Sequence, residues 1–220
     1  MNNSFIYTLE KELKKKLPGS ISQKKMAPES RDLFNMNISS KTKKSSIIIL
    51  LYCKNSTWYT VLFQRPVYDG MHSGQVCFPG GKMEKRDNSL METAIREARE
   101  EIGVDPENIK IIGELTSLYI PVSDYLVQPY IGYLDRDPVF VPDPFEVQDI
   151  ITVPVQILID PEIRKKKTVK FHGQNIVIPY FSIEHHDVWG ATAMIISEFT
   201  DILVNPDFQH TDLYNADTAQ

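Results

Sequence analysis

Glu97, Glu100 and Glu101 fall at i, i+3 and i+4 of a stretch in which Met91, Ala94, Ile95, Ala98 and Ile102 recur at helical spacing. Residues three and four apart share one side of a helix, so the three carboxylates crowd onto one flank. Arg96, Arg99 and Glu92 take the other flank, and Met91 to Ile102 form the stripe that must face the core. Three like charges on one arc repel, and Arg96 reaches Glu100 at i+4 but not the other two. A divalent cation would relieve the repulsion. A ligand set made only of oxygens suits Mg²⁺ or Mn²⁺ and not zinc. Ser89 with Glu92 fits a capping box and Gly103 stands where a helix ends on glycine, so the spacing predicts a helix over 89–102. Gly80 and Gly81 lie just ahead of it, where a backbone or a ligand can approach closely.

Around this segment lies an ordinary globular chain. It has 220 residues, 42% hydrophobic and 24% charged, which suits one domain with an extension and excludes disorder and fibre. A net charge of −5 argues against a nucleic-acid partner. The longest apolar run, Ile47 to Cys53, is too short to span a membrane, and Met1-Asn2-Asn3-Ser4 has no signal-peptide pattern. Cys53 and Cys77 make neither a disulfide framework nor a metal motif, which points to a reducing, cytoplasmic setting.

Phe5, Ile6, Leu9, Leu13 and Leu17 predict a helix over 4–17, stopped by Pro18-Gly19. Residues 1–40 read as an N-terminal helical extension packed on a domain over 41–205, with a tail over 206–220. Within the domain, Ser46 to Tyr52 reads as a buried strand with Trp58 to Phe63 as its hairpin partner. Further strands are expected over 109–118 and 127–134, a hairpin over 168–178, and a closing helix over 191–203. Strands and helices mixed without strict alternation predict an α/β domain on a mixed sheet.

Gly81, followed by Arg96-Glu97-Ala98-Arg99-Glu100-Glu101-Ile102-Gly103-Val104, resembles the signature of the Nudix hydrolases, which cleave nucleoside diphosphates linked to another group. The spacing from Gly81 to Arg96 is one residue longer than usual, as in the coenzyme A pyrophosphatase subgroup. Gln64-Arg65 and the run from His72 to Gly81 are similar to that subgroup's upstream motif. So are Leu118 to Ser123, Glu146-Val147, Trp189 to Ala193 and, ahead of the domain, Lys25 to Pro28. Pro66, Asp69 and Gly70 depart from the subgroup, where a serine, a leucine and a basic residue are usual.

The resemblance implies an α/β/α sandwich and Mg²⁺-dependent cleavage of coenzyme A, or a derivative, to adenosine 3′,5′-bisphosphate and (acyl-)phosphopantetheine. It makes Glu97 and Glu101 the main metal ligands, Glu100 a third or water-mediated one, and Arg96 the residue that orients a glutamate. The general base is Glu97, Glu100 or Glu146, although Glu146 also stands where it would cap the following apolar segment. Arg65 and Lys82 are expected as charge partners of the substrate, with His72, Gln75, Gly80 and Gly81 lining its loop. Arg164 to Lys167 is either a solvated run or a second grip on phosphate. Alternative readings are hydrolysis of ADP-ribose, a dinucleotide or an oxidised nucleotide, or a non-catalytic ligand sensor. Three bunched carboxylates argue against the sensor. Oligomeric state is left open, a homodimer included.

Overall fold

A strand that is apolar on both faces must be covered on both sides. In the computed structural model, which describes residues 4–28, 38–70, 72–171, 173–205 and 208, the run from Ile47 to Tyr52 is the centre of β1 (Lys43–Lys54). Ile48, Leu50 and Tyr52 turn to one layer, and Ile49 and Leu51 to the other. One edge of β1 runs parallel to β7 (Tyr125–Leu134). The other edge is shared. β2 (Thr57–Gln64) pairs with Leu51 to Lys54, through a turn in which Asn55 and Ser56 have φ of 48° and 62°, the backbone of a type I′ hairpin. β4 (Gly80–Lys82) pairs with Ser45 to Ile47.

β3 (Val76–Cys77) and β8 (Asp149–Pro154) pair with β2, and β5 (Lys110–Glu114) and β6 (Leu118–Ile120) pair with β7, giving the central order β3-β2-β1-β7-β5. A second sheet stacks β9 (Arg164–Phe171), β10 (Gln174–Ile183) and β11 (His186–Trp189) antiparallel. α3 (Leu90–Ile102) covers one face of the central sheet through Ala94, Ala98 and Ile102. α1 (Ser4–Leu13), α2 (Ser20–Lys24) and α5 (Gly190–Leu203) belong to the opposite layer, and the short α4 (Val155–Leu158) leads from the central sheet to the second one. The fold is the α/β/α sandwich on a mixed sheet. No helix among the described residues is long and apolar enough to cross a membrane.

The residues ahead of β1 contribute to the core. Phe5 lies 5.0 Å from the Trp58 ring and 5.8 Å from that of Phe208, the one described residue of the tail over 206–220; the part of the extension over 29–37 lies outside the described residues. Several boundaries differ from those the spacing predicts. α1 ends at Leu13, not Leu17: Lys14 N and Lys15 N donate to Lys11 O and Glu12 O in a tightened last turn, and Pro18 disfavours helical backbone at Leu17 beyond it. Met91 is 39% exposed, and Thr93 takes its place inside by donating to Asp87 Oδ2 at 3.0 Å. The strand over 109–118 breaks after Glu114, where Leu115 N donates to Pro129 O. β8 lies outside the strands expected from spacing and pairs with β2. Arg164 to Lys167 does not precede the hairpin but forms the start of β9, an edge strand, where charged side chains discourage pairing with other chains.

α5 is apolar almost all round and accordingly buried, yet it carries Glu198 at its centre. That carboxylate accepts from Gly19 N at 3.2 Å, Thr116 N at 3.1 Å and Gln23 Nε2 at 2.8 Å. It therefore ties α2 and the β5–β6 junction to α5. Glu198→Ala leaves the Gly19 and Thr116 N–H groups without partners and Gln23 Nε2 with Thr116 O alone, and we expect it to lower unfolding free energy by about 3 kcal/mol or more in urea denaturation. A loss below about 1 kcal/mol would show that water satisfies those donors.

Candidate active site

Local rules set both ends of α3. Ser89 Oγ accepts from Glu92 N at 3.1 Å, while Glu92 Oε2 accepts from Asn88 N at 2.9 Å, a capping box displaced by one residue. At the other end Gly103 adopts φ 71° and its N–H donates to Arg99 O. Between the caps, the carboxylate flank is as spaced, but burial separates its members. Glu101 is 1% exposed, Glu97 is largely buried, and Glu100 stands at the surface.

Arg96 is the centre of the site. Its Nε and Nη2 donate to both oxygens of Asp87, at 2.9 and 3.0 Å. Nη1 donates to Glu97 Oε1 at 2.9 Å and Glu100 Oε2 at 2.8 Å, and Nη2 also meets Lys82 O at 3.1 Å. Arg96 thus covers Glu97 as well as Glu100, contrary to the i,i+4 expectation, because Asp87 pins the guanidinium from outside the helix. Arg86, which no local pattern singles out, donates to Glu100 Oε1 at 2.8 Å. Glu100 has both oxygens engaged by arginines.

Gly80 and Gly81 let strand and helix meet. At Gly80, with φ 152°, a Cβ would lie 2.2 Å from Ser46 O; at Gly81 it would lie 2.5 Å from the Glu97 carboxylate. Gly80 N donates to Glu101 Oε2 at 2.8 Å, and Arg65 Nη2 lies 3.7 Å from Glu101 Oε1. Burial, with the charges of Glu97 and Glu146 added, pushes the Glu101 carboxyl up to about 8 despite Gly80 N and Arg65. Burial raises Glu97 too, against Arg96, with Glu100 and Glu146 contributing. Asp87 is the opposite case. Hydrogen bonds from Arg96 first, then from Glu84 N and Thr93, hold it well below the usual carboxylate range.

Glu146 acts on both Glu97 and Glu101 through its charge. Its turn is fixed at both ends: Asp143 N donates to Glu101 O at 2.9 Å, and Gln148 N to Gln64 O at 2.8 Å. The cap of this turn is Asp143, whose Oδ1 accepts from Phe145 N at 2.7 Å, so Glu146 is not needed for that role. His72 Nδ1 and Gln75 Oε1 lie 3.0 Å apart and order their own loop. The Lys82 side chain is exposed and its carbonyl serves Arg96.

Among the described residues, no three His, Cys, Asp or Glu side chains converge as a metal-binding group. Arg96 draws Glu97 and Glu100 together while Gly80 N holds Glu101 apart. Even so, Glu97 Oε2 accepts no hydrogen bond from a described residue, and Glu101 Oε1 has only Arg65, at 3.7 Å. Two such oxygens at i and i+4 beside a glycine cradle are the donor chemistry of a hard cation.

Asp87→Asn leaves Arg96 buried without its bidentate partner, and we expect a loss of about 3 kcal/mol in chemical denaturation. Because the folded-state pKa of Asp87 is depressed, its contribution is present above the unfolded value of about 4 and fades as pH falls below it. The stability difference between wild type and Asp87→Asn should therefore shrink below about pH 4; a difference independent of pH would remove the ion pair as its cause.

The NUDIX domain family model matches residues 42–171. Nudix hydrolase 3 of Caenorhabditis elegans is 32% identical, over 76% of this chain and 76% of its own. A peroxisomal coenzyme A diphosphatase of Mus musculus is 29% identical, over 64% of this chain and 59% of its own. A MutT/nudix family protein from Enterococcus faecalis superposes with a TM-score of 0.47 at 16% identity, over 76% of this chain and 64% of that one. The domain match spans more than half of the sequence and includes the Gly80–Gly81 cradle and the whole glutamate helix, and on that ground the chain belongs to the Nudix hydrolase family.

Proposed function

We propose that this chain hydrolyses the diphosphate of coenzyme A or a derivative, releasing adenosine 3′,5′-bisphosphate and a phosphopantetheine, with Mg²⁺ or Mn²⁺ as cofactor. The observation that carries the chemistry is the pair of carboxylate oxygens beside Gly80 and Gly81: Glu97 Oε2, which accepts no hydrogen bond from a described residue, and Glu101 Oε1, met by Arg65 at 3.7 Å. Glu97 and Glu101 would hold the ion. When bound, it supplies positive charge against the phosphoryl oxygens and lowers the pKa of water. Arg96 keeps Glu97 in place, and Glu100, held by two arginines, is the poorer base and ligand. Glu146 is then the group that takes the proton of the attacking water, while Arg65 pairs with the diphosphate. Both cysteines are unpaired, which supports a reducing compartment such as the cytoplasm.

Coenzyme A as substrate rests on the motif around Arg65 to Gly81 and on the mouse relative. One observation favours a second reading, a nucleoside diphosphate derivative without a 3′-phosphate. Between Arg65 and Lys82 the chain has no lysine or arginine, and Asp69 adds a negative charge.

Glu97→Gln and Glu101→Gln should each reduce kcat by on the order of 10³-fold with circular dichroism unchanged. Less than about tenfold in both would remove them as ligands. Glu146→Gln should lower kcat with the apparent metal affinity little altered; wild-type turnover would return the base to Glu97 or Glu100. Coenzyme A should be cleaved with a kcat/KM roughly tenfold above that of its dephosphorylated analogue, the worth of one charge-assisted contact. A ratio near one favours the second reading.

A further inference from the structure

Phe145 is 87% exposed. Single exposed apolar residues are common and mean little, but this ring is held where chain ends would not put it by accident. The loop that carries it first lies along the end of α3, where Val141 N donates to Ile102 O at 3.0 Å and Asp143 N to Glu101 O at 2.9 Å. Asp143 then closes the turn on Phe145 N, Val147 is buried among the side chains beneath α3, and Gln148 N is bonded to Gln64 O. The backbone is pinned on both sides of Phe145, so its exposure is not the fraying of a free loop.

The same pins tie it to the site. Glu146, the next residue, acts by its charge on Glu97 and Glu101. Gln64, which receives Gln148, precedes Arg65 and donates from Nε2 to Gly74 O at 3.3 Å. Arg65 N donates to Gln75 O at 2.9 Å, so two turns flank one strand end, the one closed by this bond and the one over Asp143 to Gln148. Each carries exposed apolar side chains next along the chain to a charged group of the site: Phe145 just before Glu146 in one, and Val67 and Tyr68, 78% and 46% exposed, just after Arg65 in the other. A nucleoside diphosphate has a matching division, an anionic middle and a flat, largely apolar base at one end.

We propose that Phe145 is a substrate-contacting residue whose ring packs against the nucleobase while Arg65 and the glutamate helix take the diphosphate. This rests on the reading of the site as a nucleoside diphosphate hydrolase but not on coenzyme A being the substrate. Base-on-ring stacking carries no sequence of hydrogen bonds, so Phe145 contributes affinity and position, and little discrimination between bases.

The test uses Phe145→Ala, Phe145→Leu and Phe145→Trp in the full chain, on whichever nucleoside diphosphate derivative the wild type cleaves. Melting temperatures serve as a folding control, since an exposed ring contributes little to stability. Phe145→Ala should raise KM roughly tenfold with kcat within about twofold, Phe145→Trp should restore it, and Phe145→Leu should not. Inhibition by ADP should weaken by a similar factor in Phe145→Ala, while inhibition by inorganic pyrophosphate, which has no base, should not change. Equal weakening of both inhibitors, an unchanged KM, or a fall in kcat alone would overturn the proposal, the last by making Phe145 a support for Glu146. A KM effect on coenzyme A without an effect on ADP would give the ring to the pantetheine arm, and dissociation of a dimer by Phe145→Ala would give it to a second copy; either overturns the base contact. Failure of the wild type to cleave coenzyme A bears on the substrate reading alone.

Discussion

Crowded negative charge along one side of a helix and the loop that enters it is the constraint on which this molecule is arranged. Asp87, Glu97, Glu100 and Glu101 all belong to α3 or the loop that enters it, and Coulomb repulsion would spread them if nothing intervened. Arg96 intervenes with geometry as well as charge. A planar guanidinium can satisfy Asp87 with one edge and two glutamates with another, which a lysine at the same place could not do. The pair with Asp87 is the buried, deeply shifted one, so it sets where the guanidinium lies; the glutamates are then held relative to it. Loop, helix and carboxylates are thereby made one rigid unit.

That unit has to meet the sheet at close range, and the shared edge of β1 is what permits it. β2 takes the far half of the edge and β4 the near half, so the glycines of β4 are pressed against Ser46 and Ile47 on one side and against Glu97 on the other. A β-carbon fits at neither position. The approach also gives Glu101 its one strong partner, a backbone N–H, in a place where water does not reach. Burial favours the neutral form of a carboxyl so placed, and a divalent cation set against it would favour the carboxylate. On the opposite layer Glu198 shows the contrasting use of a buried carboxylate, with three donors and a purely architectural task.

Much of α3 is legible in the sequence by itself. Its caps at Ser89 and Gly103, its Ala94–Ala98–Ile102 stripe and the grouping of Glu97, Glu100 and Glu101 follow from helix geometry, which depends only on residues a few positions apart. The same holds for the β1–β2 hairpin, whose turn and apolar runs are local signals. Tertiary structure alone decided which glutamate would be buried, that Arg96 would serve Glu97 through Asp87, and that the turn at Glu146 would be brought over the helix by bonds to Glu101 and Gln64. It also decided that Met91 would face outward and that Glu198 would be the clasp of α2 and α5. Spacing along a chain fixes the direction of a side chain on its own element, whereas burial, partner and pKa depend on which other element is packed against it, and that is set by contacts between residues tens to well over a hundred positions apart.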